Sequence, residues 1–410
     1  MKKINNLQKY IFNFLASIIP ISLIAGSFIS NLVLFLISLS LIYISYINNN
    51  WKWIKSIYFK LFLLLYIYLI LNSFIAEDFE TSLPRSIGYI KFLLLPFFIK
   101  IIFEDMLVDY KKVFFIWLST LLFLSFDILY QGYFGENIVG YKVSNPLRNS
   151  SFFFDELKAA ALIVGFAFIS FDKKKFNSRK ILLILSFFLI ATLVTGERAN
   201  FIRYLVIFII FLIFYIKNIR KINYSIFLII VLFFIITSNY FGDKILERYS
   251  RTISFDENEK NLTLYNYYLT SQYGAHALTS YYILKDNLLV GVGNKNFRNE
   301  CDNYKNKILE KFKKDLFKDI GCSTHPHQIW YELLSEHGII GTLLILIFFY
   351  FLVKTRFKSN NLEIQNIMAL VYILNIFLPI IPFGSLFTSY NSTILWINIS
   401  IFITDFKKLK

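Results

Sequence analysis

Residues 181–216 read ILLILSFFLIATLVTGERANFIRYLVIFIIFLIFYI, which is two apolar runs separated by the polar turn Thr195-Gly196-Glu197-Arg198. Each run approaches the roughly 20 apolar residues that a helix needs to cross a bilayer core of about 30 Å. Similar runs recur along the chain, which has 410 residues, 56% of them hydrophobic, and a mean hydropathy of +0.55. The sequence therefore predicts an all-α polytopic membrane protein.

We predict about 12 transmembrane helices from these runs, separated by short connections and one large, mostly helical loop. The predicted spans are residues 10–27, 29–47, 57–75, 87–103, 113–130, 157–171, 181–196, 199–216, 223–240, 329–353, 365–384 and 388–404. The predicted divisions are 1–240 with the first nine spans, the loop at 241–328, and 329–410 with the last three. Within the loop, Leu278–Lys285 and Tyr304–Phe317 are helix-like, and Gly291-Val292-Gly293 marks a turn.

The net charge of +16 is explained by the positions of the basic residues. They concentrate in alternate connections and near the C-terminus, as in Lys173-Lys174-Lys175 and Lys407-Lys408, whereas the opposite short connections hold few. The positive-inside rule then places both termini in the cytoplasm and the large loop in the periplasm, with the chain in the inner membrane. Membrane lipids are expected partners, and the charge requires no nucleic acid.

A histidine stands at the mouth of the predicted span 329–353, in the run Thr324-His325-Pro326-His327-Gln328-Ile329-Trp330-Tyr331. A polar group at this depth is costly unless it has a partner or a function. The alternative is a loop histidine that is satisfied by water. The pattern that follows His327 favours the functional interpretation.

This pattern resembles the signature of the bacterial O-antigen ligases and of the related O-antigen polymerases. The matching residues, between Gly321 and Gly341, are His327, Gln328, Trp330, Leu333, Leu334, Glu336, Gly338 and Gly341. The small residues also permit close packing of this helix on a neighbour. The arrangement of spans and the late, large outer loop fit the same family.

The resemblance implies a metal-independent, inverting glycosyltransferase of GT-C-like architecture that needs no cofactor. Its donor would be a glycan on undecaprenyl pyrophosphate, and its acceptor a sugar hydroxyl of lipid A–core. O-antigen polymerase, with a growing polysaccharide as acceptor, and protein O-oligosaccharyltransferase are the alternatives within this class. A membrane transporter is the alternative from another class, but neither inverted repeats nor matched helix breaks are evident in the two halves.

The resemblance implies two catalytic residues, His327 and Arg198. His327 would activate the acceptor hydroxyl, and Arg198 would clamp the pyrophosphate with its planar guanidinium. The alternative for Arg198 is a side chain that snorkels to the interface. The family usually has a second arginine in the large loop, but none stands at that place here, and His276 or Arg298 is the expected substitute.

Further charged groups near the outer face together predict a cavity that suits an anionic lipid headgroup, although each alone is better explained by snorkelling or pairing. The substrate-binding candidates are Arg85, Lys91, Glu156, Arg203, His276, Arg298, Gln328 and Trp330. We find no phosphate-binding glycine loop and no convincing metal site, so the energy for transfer should come from an activated donor.

The two cysteines, Cys301 and Cys322, both fall in the large loop. A disulfide is favoured in an oxidising compartment and would stabilise the loop by about 3 kcal/mol. It would also anchor the segment that leads to His327. Two free thiols, or half of a metal site with His325, are the alternatives.

Overall fold

The computed structural model describes residues 4–142, 145, 147–171, 178–216, 241–249, 271–312, 321–358, 362–379 and 381–409. Across these residues the chain is helical and contains no β-strand, apart from one isolated bridge between Glu136 and Lys142. The predicted all-α class is therefore confirmed.

The helices occur in the following order along the chain. Those of the first half are α1 (Asn6–Ser17), α2 (Ile19–Ile24), α3 (Ser27–Ile47), α4 (Ile57–Ser73), α5 (Phe79–Gly88), α6 (Ile90–Glu104), α7 (Tyr110–Phe134), α8 (Ala159–Phe166), α9 (Ser178–Val194) and α10 (Arg198–Ile216). Residues 241–249 are also helical. The later helices are α11 (Gln272–Asp286), α12 (Phe297–Phe312), α13 (Ile329–Phe357), α14 (Ile364–Ile376) and α15 (Ser389–Ile403).

Several of these helices are long and apolar enough to cross a membrane. They are Ser27–Ile47, the continuous stretch Phe79–Glu104, Tyr110–Phe134 and Ile329–Phe357, and α4 and α14 are apolar but shorter. The predicted span 223–240 lies outside the described residues, and each of the other predicted spans overlaps a helix. The chain is a membrane protein, while twelve crossings and a periplasmic loop remain predictions.

Two predicted spans are shorter in the structure than the sequence indicated. The span predicted at 365–384 ends at Ile376, and the one predicted at 157–171 is a regular helix only over Ala159–Phe166. Pro379 and Pro382 follow α14, and a proline lacks the N–H that would continue the helix. The chain beyond α14 instead forms a loop that leads to the start of α15.

The core of the bundle is built around α15. Nearly every residue of this helix is buried, and it packs against α3, α6, α8 and α14. Gly165 of α8 lies directly against Ile394, where an added Cβ would be 2.1 Å from a methyl carbon. Asn398 donates to the carbonyl of Gly165 (2.9 Å), and Trp396 donates to the Tyr89 hydroxyl (3.0 Å). A helix buried on all sides holds its neighbours in a fixed arrangement.

Residues 288–293 join α13 at a break in that helix. Gly338 has φ 62° and ψ −167°, a conformation open essentially only to glycine. Because the helix is interrupted there, the carbonyls of Ser335 and Glu336 are free to bond outside it. They accept from the backbone N–H groups of Val292 (3.0 Å) and Gly293 (2.9 Å).

The N–H groups beyond the break are satisfied by the same loop. Ile339 donates to the carbonyl of Leu288 and Ile340 to that of Leu289, both at 3.0 Å. In an unbroken helix these two N–H groups would bond to the carbonyls four residues earlier. The loop thus replaces the missing helical hydrogen bonds and is fixed to α13 by its backbone.

Substitution of Gly338 tests this joint. We expect Gly338→Ala to lower the thermal unfolding midpoint of the purified protein more than Gly135→Ala does. Both glycines have positive φ, so each change costs on the order of 1–2 kcal/mol in backbone strain. The new Cβ at 338 would also lie 2.5 Å from the Leu289 carbonyl, whereas nothing lies within 4 Å of one at 135. An equal fall of the unfolding midpoint in the two variants would contradict the role of Gly338 in joining the loop to α13.

Candidate active site

A cavity of about 1130 Å³ is lined by segments that are distant in sequence. The segments include residues around 23–30, 148–158, 197–200, 295–298, 325–327 and 382–391. Its basic lining residues are Arg85, Arg148, Lys158, Arg198, Arg248, Lys295 and Arg298, and its acidic ones are Asp155, Glu156 and Glu197. Basic groups therefore outnumber acidic ones, and a concave site of this kind attracts anionic ligands.

His327 lies on the wall of this cavity, two residues before α13 begins. Its φ is 54°, an uncommon value for a residue with a side chain, and such strain often occurs at functional sites. The carbonyl of His327 accepts from the N–H of Phe383 (2.9 Å), and its Nε2 lies 3.2 Å from the Ser323 hydroxyl. These contacts hold the imidazole at a defined position.

Other aromatic rings surround the His327 imidazole. The fully buried His276 ring stacks on it with centroids 5.2 Å apart, and the His325 ring lies 4.1 Å away. Tyr273 meets it edge-on at 6.5 Å. His276 therefore supports His327 from the protein interior and, among the described residues, is not part of the cavity lining.

Burial keeps two of these imidazoles neutral. It lowers the pKa of His327 below the usual value for histidine. It also lowers the pKa of His325 to about 3, with a smaller contribution from the neighbouring His327. Near neutral pH, His327 is therefore able to accept a proton.

Three arginines from separate segments form a cluster on the cavity wall: Arg148, Arg198 at the start of α10, and Arg248 of the 241–249 helix. Arg248 Nε donates to the carbonyl of Gly196 (3.2 Å), in the turn before Arg198. Burial, followed by the charges of Arg148 and Arg198, lowers the pKa of Arg248 to about 10. Arg248 therefore remains charged at neutral pH, and we call the three residues the arginine triad.

The acidic residues on the wall leave the arginine triad available to a ligand. Glu197 accepts hydrogen bonds from the backbone N–H of Ala160 (3.1 Å) and the side chain of Asn200 (2.6 Å). Burial raises the pKa of the Glu197 carboxyl. Glu156 forms an ion pair with Lys158, and in the described part of the chain no salt bridge joins an acidic side chain to the triad, although the charge of Glu197 acts on Arg148.

Arg298, in the first turn of α12, and Arg85, in the last turn of α5, also line the cavity. Arg298 Nη2 contacts the carbonyl of Thr324 (3.4 Å), which lies three residues before His327. The structure thus brings predicted residues 85, 156, 198, 298 and 327 to one cavity.

A buried ionic network that sequence reasoning missed lies beside this wall. Lys295 lines the cavity and contacts Glu332 (3.5 Å) and the Ser385 hydroxyl, while its backbone N–H donates to Glu336 (2.9 Å). Glu332 also accepts from the N–H of Leu386 (2.8 Å). The sequence feature that could have revealed this network is the pair Glu332 and Glu336, two acidic residues four positions apart in an apolar helix. The network fixes the 385–386 segment to α13.

Other predicted substrate-binding residues lie outside the lining of this cavity. Arg203 is buried in α10 and donates to carbonyls of the loop after α14, including that of Ile381 (3.0 Å). Lys91 lies over the Phe92 ring, 5.1 Å from its centroid. Gln328 caps the start of α13, and the Trp330 indole donates to the carbonyl of Phe377 (2.9 Å). Each of the four therefore contacts the protein itself, and a role in substrate binding stays a prediction for them.

A disulfide joins Cys301 in α12 to Cys322, with the two Cα atoms 5.2 Å apart. Cys301 is fully buried and packs with Ile283 of α11. The bond therefore links α12 to the segment that carries His325 and His327. In the described part of the chain, no group of His, Cys, Asp and Glu side chains is arranged to hold a metal ion.

The fold and the cavity define a helical membrane protein with a basic cavity and a neutral histidine beside it. Residues 181–346 match the family model described as O-antigen ligase, which supports a ligase- or polymerase-like glycosyltransferase. The resemblance noted around His327 is confirmed. The matched range includes Arg198, His276, Arg298 and both cysteines, whereas Arg85 and Arg148 precede it. No curated protein matches the chain.

Reduction of the disulfide tests its role in holding this segment. We expect reductant, or Cys322→Ser, to lower the thermal unfolding midpoint, since a crosslink that closes about 20 residues stabilises by roughly 3 kcal/mol. We also expect a lower transfer rate, because the segment with His327 loses an anchor. The Cys322→Ser protein should show no further response to reductant. An unchanged midpoint after verified reduction would contradict the anchoring role.

Proposed function

We propose that this protein transfers a glycan from a polyprenyl pyrophosphate, undecaprenyl pyrophosphate in bacteria, to a sugar hydroxyl at the periplasmic face. The supporting observation is that the neutral His327 and the arginine triad open into the same cavity. Such a reaction needs a proton acceptor for the hydroxyl and positive charge for the leaving group. The cavity offers both, and the O-antigen ligase family fits this chemistry.

The arginine triad is suited to the pyrophosphate of the donor. Guanidinium groups remain charged and present paired N–H donors that match phosphate oxygens. The triad comes from three separate segments that line one cavity, so that several guanidinium groups can bind one pyrophosphate. As the bond to the anomeric carbon breaks, negative charge grows on the pyrophosphate and the triad stabilises it.

His327 acts on the acceptor in this mechanism. The acceptor hydroxyl transfers its proton to the imidazole, and its oxygen forms the new glycosidic bond with the anomeric carbon. The bond from that carbon to the pyrophosphate oxygen breaks, and the electron pair leaves with the polyprenyl pyrophosphate. A single displacement of this kind inverts the anomeric configuration.

The acceptor that we propose is a lipid A–core sugar, which makes the protein an O-antigen ligase in the strict sense. A growing polysaccharide or a protein hydroxyl requires the same chemistry with another acceptor. Loss of a ligase from the native bacterium removes all attached O-antigen, whereas loss of a polymerase leaves a single attached repeat. A gene deletion with analysis of the lipopolysaccharide ladder therefore separates the two.

A reconstituted transfer assay tests the proposal directly. The purified protein in lipid vesicles is given a polyprenyl-pyrophosphate-linked glycan and a lipid A–core acceptor, and the conjugate is measured. We expect His327→Ala to lower kcat by roughly 100-fold or more, the usual contribution of a general base. Its thermal midpoint should remain near that of the wild type, because the half-buried ring contributes little core packing. Full activity in a folded His327→Ala protein would exclude the proposed base.

The pH dependence gives a second test of His327. Because burial lowers its pKa, the imidazole stays neutral and competent at pH values where a free histidine is protonated. We expect kcat/KM to remain high as pH falls and to decline only below about pH 6.5, the ordinary histidine value. Measurement of kcat/KM from roughly pH 4.5 to 8 gives this midpoint. A midpoint above that of a free histidine would contradict the assignment.

A further inference from the structure

We propose that Arg85 and Arg298 form a second anion site in the cavity, which holds a phosphate or carboxylate group on the acceptor. The inference rests on the proposed transfer reaction and adds a chemical requirement to it: the acceptor glycan is anionic near its reacting hydroxyl. The two arginines lie 213 positions apart in sequence, and two sets of hydrogen bonds bring their segments together.

The first set involves the residue that caps α5. The Asp78 backbone N–H donates to the Asn296 side chain (3.0 Å), and the Asn299 side chain donates to the Asp78 carboxylate (3.0 Å). Asn296 and Asn299 flank Arg298 in sequence. The start of α5 is therefore fixed to the first turn of α12, from which Arg298 extends.

The second set lies next to Arg85. The Ser82 hydroxyl donates to the carbonyl of Asn294 (2.7 Å), and the Asn294 side chain donates to the Ser86 hydroxyl (2.8 Å). All three residues are buried, so these bonds are shielded from water. They hold the turn of α5 that carries Arg85 beside the 294–298 segment.

The two guanidinium groups remain available to a ligand. Both side chains line the cavity and are close enough for their charges to repel each other. Among the described residues, neither forms an ion pair, and the Arg298 Nε has no hydrogen-bond partner. The nearby Glu336 is already engaged by the N–H groups of Lys295 and Phe297. An anion between the arginines relieves the repulsion and supplies the missing acceptor.

The position relative to His327 favours the acceptor over the donor. Arg298 contacts Thr324 in the His327 segment, and its charge acts on His325. In a single displacement the attacking hydroxyl and the leaving pyrophosphate lie on opposite sides of the anomeric carbon. A positive group beside the base would therefore contact the acceptor, and the proposal assigns the arginine triad to the leaving group.

Steady-state kinetics with two acceptors tests the site. One acceptor carries a phosphate near the reacting sugar, and the other is the same glycan after enzymatic dephosphorylation. We expect Arg85→Gln and Arg298→Gln each to raise KM for the phosphorylated acceptor roughly 10-fold, the value of one charged hydrogen bond. KM for the dephosphorylated acceptor and for the donor should stay unchanged. Arg298→Lys should recover part of the loss, because it keeps the charge without the paired donors.

Control variants distinguish the loss of any positive charge from the loss of the proposed acceptor site or of the donor site. Lys285→Gln removes one positive charge from an exposed side chain outside the cavity lining. It should leave KM unchanged for both acceptors and for the donor. Arg198→Gln should raise KM for the donor instead. A rise in donor KM for the Arg85 or Arg298 variants would assign the pair to the pyrophosphate and overturn the proposal. Equal effects on both acceptors, or no effect, would overturn it as well.

A direct measurement of glycan binding tests the anion site without relying on the transfer reaction. The affinity of the detergent-purified protein for the phosphorylated glycan alone is measured by calorimetry, with the dephosphorylated glycan as reference. A wild-type protein that binds the phosphorylated glycan preferentially but transfers nothing would refute the proposed reaction and leave the anion site standing. Transfer without any preference for the phosphorylated glycan would refute the anion site alone.

Discussion

The backbone joint between residues 288–293 and α13 is the constraint on which the site depends. Gly338 interrupts the helix, and the carbonyls and N–H groups released there bond to residues 288–293 instead. Unsatisfied backbone groups are costly in a membrane protein, so this exchange is strongly favoured over an open break. It fixes the turn at Gly291–Gly293, and with it the segment that presents Lys295 and Arg298 to the cavity.

The cavity follows from several such attachments rather than from one element. The Arg203 guanidinium donates to carbonyls of the loop after α14. The Glu332 carboxylate accepts from the N–H of Leu386, which lies just before α15. Phe383, between them, bonds to the carbonyl of His327. Buried charges thus serve here as structural ties between loops and helices, since a buried ion requires a full set of partners. Each tie restricts the position of a cavity-lining group.

Sequence reasoning recovered the helices and part of the site for identifiable reasons. Long apolar runs predict helices reliably because a span needs many consecutive apolar residues. His327 was found because a recognisable pattern surrounds it, and Arg198 because it stands in a tight turn. Arg203 and Lys91 illustrate the limit. Both are basic residues within apolar runs, yet whether such a side chain faces the cavity or a neighbouring loop depends on helix rotation, which composition does not encode.

The sequence by itself determined the helical membrane class, the resemblance to the O-antigen ligases and the histidine at the mouth of α13, because these rest on local patterns. Only the tertiary structure decided which charges meet. The arginine triad joins residues 148, 198 and 248, and the pair at 85 and 298 spans half of the chain. No local rule links such positions. Their proximity results from packing and from hydrogen bonds between loops that are remote in sequence.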